Sequence, residues 1–553
     1  MINKHGVTFI ILLGLPFGEV QSQLLFSDND TIMQDSATFN EPRQLDALFG
    51  SALAARGNKL VIGAPKALVN GEKAGAVYIR SAGLQGIFTH SNLVRKFSQN
   101  SSGIPGDAEA GDQFGFSVAI GNFGFYSDLE CNYDGLDLCL GYQDVIAGVP
   151  YERLNGEDNG GMANIVEPGS LGCDESDACG ALTQLHQDND LVGTAEEGDV
   201  FGFSLAVGDF NNDGAEDLAV GVPGEAVNSN LATQAGGVNV ILGRPYYGLR
   251  SGADEFFSQS SLDGGARDDE NFAYSLAAGD FDGDGVDDLA VGVPGDVQTD
   301  GANRTGGGIN VIYGKQQTSL NLGGLSLSGN ENFHQDSDGI IGLSEDGDRF
   351  GFALASGNFN GDNYDDLAIG VPYERVNNIN NAGAVVIMYG SSSGLRANGN
   401  HSIHQGISGV NGSLEPNDLF GHTLATGDFN NDGVDDLAVG IPYEDVFEVT
   451  DAGAVALFFG VDGGRLNGVN NDIFFSQLDL AYPAMLAQST RFGYALAVGD
   501  FDVNGKDDLA VGTYGNLSNV NAINGSVAVI YQRPEPFVDL IFEDGFEIEQ
   551  TIN

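Results

Sequence analysis

The chain has no tryptophan, only four cysteines, and only 22 lysines and arginines against 78 aspartates and glutamates in 553 residues. A formal net charge of −56 repels a phosphate backbone or an anionic membrane, so nucleic acid is not an expected partner. Beyond the N-terminus no stretch approaches the ~20 uninterrupted apolar residues of a membrane-crossing helix. Helical periodicity is scarce too. What is plentiful is glycine, 82 residues, set among short apolar runs in a chain that is 42% hydrophobic. Such a composition predicts turn-rich β structure with enough apolar mass for a large core.

At the N-terminus, Lys4 and His5 precede an apolar run from Val7 to Phe17, and Val20 and Ser22 offer small residues for cleavage. Residues 1–22 resemble a secretory signal peptide. The alternative is a buried N-terminal strand or short helix. The cysteines fall close together, Cys131 and Cys139 in one loop, Cys173 and Cys179 in the next. Export favours disulfides, and the short separations favour Cys131 with Cys139 and Cys173 with Cys179. A zinc site is the other possibility, although neither spacing is of the Cys-x-x-Cys type.

A phenylalanine followed by a small residue recurs seven times: Phe49-Gly50, Phe114-Gly115, Phe201-Gly202, Phe272-Ala273, Phe350-Gly351, Phe420-Gly421 and Phe492-Gly493. The separations of 65 to 87 residues define seven units. Each reads as a strand, a loop, a second strand ending near Gly-Val-Pro, a variable loop and a third strand. A fourth strand is expected where a glutamine stands 13 to 15 residues before the next Phe, at Gln99, Gln187, Gln259, Gln335, Gln405 and Gln477. The last unit has no such segment after Ser526 to Tyr531. The N-terminal strand around Thr31 to Asp35, with Gln34 placed 15 residues before Phe49, is expected to complete the seventh sheet. The prediction is an all-β chain: a seven-bladed β-propeller of four-stranded antiparallel blades over residues 30–531, closed by an N-terminal strand, with a tail at 532–553.

Units three to seven share an acidic first loop, clearest in DFDGDGVDDLAVGVP, Asp280 to Pro294. Oxygen donors at loop positions 1, 3, 5 and 9, a backbone carbonyl at 7 and a glycine at 6 suit a hard cation such as Ca²⁺. An EF-hand loop would need a glutamate at position 12; Val291 stands there, inside a strand. The candidate side-chain ligands are Asp209, Asn211, Asp213 and Asp217 in unit three, and Asp280, Asp282, Asp284 and Asp288 in unit four. Unit five offers Asn358, Asn360, Asp362 and Asp366, unit six Asp428, Asn430, Asp432 and Asp436, and unit seven Asp500, Asp502, Asn504 and Asp508. The carbonyls of Ala215, Val286, Tyr364, Val434 and Lys506 would complete the sets. Asx-turns, in which these side chains bond only local backbone, are the alternative. Ligand charge ranks the unit-four loop as the tightest site and the unit-five loop as the weakest.

The Phe-Gly start, the Asp-rich loop and the Gly-Val-Pro strand end resemble the FG-GAP repeats of the integrin α-subunit N-terminal propeller, from about Thr31 to Tyr531. Units one and two depart from that pattern, with an Arg56-Gly57-Asn58-Lys59 turn and a cysteine-bearing insertion before Asp144 in place of the acidic loop. No metal is assigned to either. The leg domains, membrane helix and cytoplasmic tail of an integrin α subunit have no counterpart in the sequence, so pairing with a β subunit is not implied.

Recurrent His186, His334 and His404 invite a catalytic reading, but equivalent positions in different sheets are spread around the ring, which favours packing or hydrogen bonding. Glu152, Glu374 and Glu444, each after Pro-Tyr, are read as solvated charge or as part of a binding surface beside the variable loops. The expected function is a secreted or cell-surface Ca²⁺-binding module, with up to five ions, for a protein or glycan ligand. The alternatives are an extracellular carbohydrate-active or phosphoester hydrolase or lyase, and a structural envelope or matrix component. Oligomeric state is left open.

Overall fold

The computed structural model describes residues 29–32, 44, 47–81, 94–124, 143–167, 184–188, 191–227, 232–245, 248–250, 252, 254–262, 265–297, 304–318, 321–466, 472–480, 488–515 and 525–532. All four cysteines, Gln34, the signal-like segment and the tail after Gln532 lie outside the described residues. Within them the chain is a ring of seven four-stranded antiparallel sheets, a seven-bladed β-propeller. The strands of the first six blades follow chain order from the axis outward; in unit four they are Ser275–Gly279, Asp288–Val293, Gly308–Tyr313 and Ser326–Phe333. Each expected glutamine stands just beyond the outer strand rather than within it, as with Gln335 after Phe333. The seventh blade is closed by the N-terminal strand Asn29–Ile32, paired antiparallel to Ser526–Ile530. No helix of the described residues is long and apolar enough to cross a membrane.

Every residue of the second strands in units two to seven is buried, as in Asp288–Val293. Both faces of that strand meet a neighbouring blade, which is why its sequence is a continuous apolar run rather than an alternating one. The core is accordingly divided into layers between blades. Phe210, Val240, Phe257 and Phe272 pack with Leu289, Val291 and Val293 between units three and four, and Phe49, Tyr78, Phe501 and Val529 close the ring between units one and seven.

The Phe-Gly and Gly-Val-Pro signatures form one joint between neighbouring blades. Gly351 carries φ +84°, and its carbonyl lies where a Cβ on Gly292 of the preceding blade would be, at 2.1 Å. The Ser275 hydroxyl donates to that same carbonyl at 2.8 Å. Gly63 with Gly115, Gly148 with Gly202 and Gly512 with Gly50 repeat the approach around the ring. Unit four itself starts with Ala273, which takes the left-handed φ of 67° that glycine adopts more readily.

Candidate metal centres and the opposite face

The first-to-second strand hairpins of units three to seven all emerge on one face. In unit four the Asp280 carboxylate accepts from the backbone N–H groups of Asp284 at 3.0 Å and Gly285 at 2.9 Å, and Asp282 accepts from Asp284 at 3.1 Å. Gly285, at φ +87°, makes the tight return. The buried side chain of Val286 anchors position 7, leaving its carbonyl as the backbone oxygen of the set. Carboxylate oxygens of Asp280, Asp282 and Asp288 lie within 4.8 Å of one another, as do those of Asp500, Asp502 and Asp508 in unit seven. In units three and six, Asp209 and Asp428 make the same bonds to Asp213 and Gly214 and to Asp432 and Gly433.

Unit five departs at its first position. The Asn358 amide donates to the Asp362 carbonyl, and its Oδ1 is buried without a partner. An orphaned buried oxygen of this kind and hard oxygen donors suit a divalent cation. The residues present therefore fit one.

Asp at position 9 has a second duty. Asp288 accepts from Phe281 N–H and from Gly314 N–H, both at 2.9 Å, pinning the hairpin to the third strand. Asp217, Asp366 and Asp508 do likewise. Asp144 holds the corresponding place in unit two and accepts from Phe123 N–H, although that unit lacks the acidic loop. The position is thus structural first, and the remaining lone pairs are what a cation would use. Burial pushes the Asp217, Asp288, Asp366, Asp436 and Asp508 carboxyls up to about 8; a bound cation would oppose that shift.

Glu152, Glu374 and Glu444 are not freely solvated charges. Glu152 and Glu444 are buried, and each of the three accepts a hydrogen bond from the repeat glutamine of the preceding blade. Gln99 donates to Glu152 at 2.6 Å, Gln335 to Glu374 at 2.7 Å, Gln405 to Glu444 at 2.9 Å, and in unit three Gln187 donates to Glu225 at 2.6 Å. The glutamines recur because they staple one blade to the next. Glycine packs over these amides, Gly193 against Gln187 and Gly412 against Gln405, so the carboxylates lose water.

Burial therefore pushes Glu152 and Glu225 up to about 7 and Glu444 up to about 8. A second acid sits close by, Asp199 at about 8 beside Glu225 and Asp418 at about 7 beside Glu444. Acids whose folded pKa exceeds the unfolded value stabilise fully below the unfolded pKa, and that contribution is lost as pH rises through the folded value. Chelated protein is expected to lose thermal stability steadily between pH 5 and 8.5. Glu444→Gln, which keeps an acceptor for Gln405, should lessen the decline by on the order of 1–2 kcal/mol. Parallel melting curves of the two proteins would contradict this assignment.

The inner strands converge at their Phe-Gly ends, on the face opposite the acidic hairpins. The residue after the Phe-Gly or Phe-Ala pair of units two to seven builds an aromatic annulus there; unit one has Ser51 at this place. Phe116, Phe203, Tyr274, Phe352, His422 and Tyr494 follow one another with ring centroids 5.0 to 5.2 Å apart. Tyr151, Tyr373, Tyr443 and Tyr514, each near the end of a second strand, add an outer tier. Arg349 lies over Tyr373 at 4.7 Å, and Arg491 over Tyr443 at 4.6 Å and Tyr514 at 5.3 Å. Burial and the Arg491 charge push His422 down to about 4. Sequence reasoning missed this group, although its signal, an aromatic two places after most repeat phenylalanines, was present. Equivalent positions do converge when they lie at the inner ends of the blades.

These features define a seven-bladed propeller with acidic, cation-type hairpins on one face and an aromatic annulus on the other. The FG-GAP repeat family matches residues 201–239, 272–308, 350–388, 420–458 and 492–530, the five units that carry the acidic loop. Integrin alpha-V of Gallus gallus is 33% identical over 259 residues, 45% of this chain and 21% of that protein. Integrin alpha-PS2 of Drosophila melanogaster is 31% identical over 255 residues, 45% of this chain and 15% of that one. Phosphatidylinositol-glycan-specific phospholipase D of Rattus norvegicus is 33% identical over 163 residues, 30% of this chain and 18% of that enzyme. The chain is an integrin-alpha-like FG-GAP propeller, and its similarity spans about a fifth of the length of these relatives or less. Units one and two lie outside the family matches, yet fold as blades of the same ring.

Proposed function

We propose that this chain is a secreted or cell-surface propeller, stabilised by up to five Ca²⁺ ions, that binds a protein or glycan ligand as an adhesion module. In this reading residues 1–22 are a signal peptide, the cysteines form Cys131–Cys139 and Cys173–Cys179 disulfides, and the five acidic hairpins hold the ions. The observation that carries it is the aromatic annulus. Half-buried rings at the centre of a loop-bearing face offer large contact area at little entropic cost, the chemistry of binding hot spots. The likeness to integrin alpha subunits supports the same reading.

A second feature of that face agrees. Phe447 is 88% exposed, at the tip of the Val446–Val449 turn of unit six. It takes a left-handed φ of 56°, where the corresponding turns carry Asn155 and Asn377. A phenylalanine held there, exposed and strained by ~1 kcal/mol, brings the fold nothing. For a hydrolase, the alternative supported by the phospholipase D likeness, acid, base and nucleophile would have to converge. The groups at the annulus are instead aromatic rings, two arginines and a histidine that stays neutral.

Glycan and extracellular-protein arrays probed with the Ca²⁺-loaded protein test the proposal. Saturable binding is expected, weakened at least tenfold by Tyr443→Ala and by Phe447→Asn. The second variant should melt no lower than the parent, since asparagine suits the turn. Turnover of a polysaccharide or phosphoester, abolished by a single carboxylate substitution, would replace binding with catalysis.

A further inference from the structure

The acidic hairpins are not isolated from one another. The carboxylate at loop position 8, which the ligand pattern leaves unused, reaches into the loop of the preceding blade and accepts from the backbone N–H of its position-1 residue. Asp287 of unit four accepts from Asp209 N–H at 2.8 Å, Asp365 of unit five from Asp280 N–H at 3.0 Å, Asp435 of unit six from Asn358 N–H at 2.8 Å, and Asp507 of unit seven from Asp428 N–H at 3.0 Å. For three of these pairs the bond is returned: Asp287, Asp365 and Asp435 N–H donate to the carbonyls of Asp209, Asp280 and Asn358 at 3.2, 3.0 and 3.0 Å. The residue offering the first ligand in one loop is therefore held at backbone level by the next loop.

The arc ends where the metal loops end. In unit three the position-8 residue is Glu216, which accepts from Asn122 N–H at 2.7 Å and returns a bond to the Asn122 carbonyl at 2.9 Å. Unit two carries no acidic loop, and the same carboxylate is paired with the guanidinium of Arg56 from the tight turn of unit one. A fixed positive side chain thus stands at the end of the row.

We propose that Asp287, Asp365, Asp435 and Asp507 are positioning residues that couple cation binding between neighbouring blades, so that an ion in one hairpin favours an ion in the hairpin before it. This rests on the reading of the hairpins as Ca²⁺ sites. The reason is geometric: a cation that orders the unit-five loop fixes Tyr364, Asp365 and Asp366 together. The Asp365 carboxylate then holds Asp280 in the orientation its own ligand role needs. Part of the ordering entropy of the unit-four loop has by then been lost, which raises its affinity. Repulsion between two bound cations acts the other way. It is reduced by the carboxylates around each ion and by screening beyond about 8 Å at physiological salt.

Hydrogen-exchange mass spectrometry of the full chain across a CaCl₂ titration resolves single loops. The midpoint at which amides of residues 281–286 become protected reports the unit-four site. Asp362→Ala, which removes a unit-five ligand, is expected to raise that midpoint about fivefold, the lower end of measured couplings. Asp502→Ala, three blades away, should leave it within twofold. Asp365→Ala should also raise it about fivefold, although the residue is a ligand in neither loop, while Asp365→Asn, which keeps an oxygen acceptor, restores the parent value. Melting temperature and the unit-seven midpoint should stay near the parent in the Asp365 variants. An unchanged or lowered unit-four midpoint in Asp362→Ala overturns the coupling, as does an equal shift from Asp502→Ala. Absence of any Ca²⁺-dependent protection in the parent chain overturns instead the reading of the hairpins as metal sites.

Discussion

Chelation is expected to lower the melting temperature of this protein by on the order of 10 °C at ~100-fold excess of Ca²⁺ over its dissociation constants. The size follows from linkage. A ligand bound only by the native state adds about 2.7 kcal/mol per site at that excess. Unfolding entropy of about 2.1 cal/mol/K per residue makes each site worth roughly 2–3 °C in a ring of this size. Five sites in units three to seven then sum to the stated shift. Asp280→Ala should remove one site's share and a little more. Besides its ligand role, that carboxylate accepts the N–H groups of Asp284 and Gly285. The formal charge of −56 works in the same direction, because ions on one face relieve self-repulsion that chelation restores. Calorimetric scans with EDTA and with graded CaCl₂ are the measurement. Coincident scans would eliminate a stabilising cation and leave the hairpins as Asx-turns.

Gly292→Ala is expected to cost about 3 kcal/mol or more, the upper range for inserting one carbon into a packed site. The added Cβ would stand 2.1 Å from the Gly351 carbonyl and 2.1 Å from the Ser275 hydroxyl. The first is backbone of the next blade and cannot rotate away. Relief requires units four and five to separate, loosening Phe350 and Ile369, which are buried between them. The control is Gly57→Ala: that glycine also has a positive φ, 52°, but open space around it, so only about 1 kcal/mol should be lost. Denaturant midpoints of the two variants separate a blade-joint clash from backbone strain. A Gly292→Ala protein no less stable than Gly57→Ala would show that the joint is not close-packed in solution.

Fold and hairpins were legible because they repeat. Seven phenylalanines at near-even spacing, and a sequence after Tyr531 without the repeat's glutamine-bearing segment, led to the blade count and to closure by the N-terminal strand, found at Asn29–Ile32. The alternating oxygens of Asp280, Asp282 and Asp288 were legible for the same reason, being local in sequence and clustered in space. Glu152, Glu374 and Glu444 were misjudged because their partners are the glutamines 39 to 53 residues earlier, on another blade. Asp365 was passed over because loop position 8 has no place in a single-ion pattern; its acceptor role exists only against Asp280 of the preceding hairpin.

The sequence by itself determined the units, the order of strands within them, the place of the acidic hairpins and the strand that closes the ring. All are local or periodic properties, written in the spacing of phenylalanine, aspartate and glycine. Only the tertiary structure decided which charges are buried, which hairpins touch, and that Phe116, Phe203, Tyr274, Phe352, His422 and Tyr494 meet in one annulus. Burial and contact between blades depend on how each sheet turns relative to the next. That angle is set by close approaches such as Gly292 to Gly351, between residues far apart in the chain.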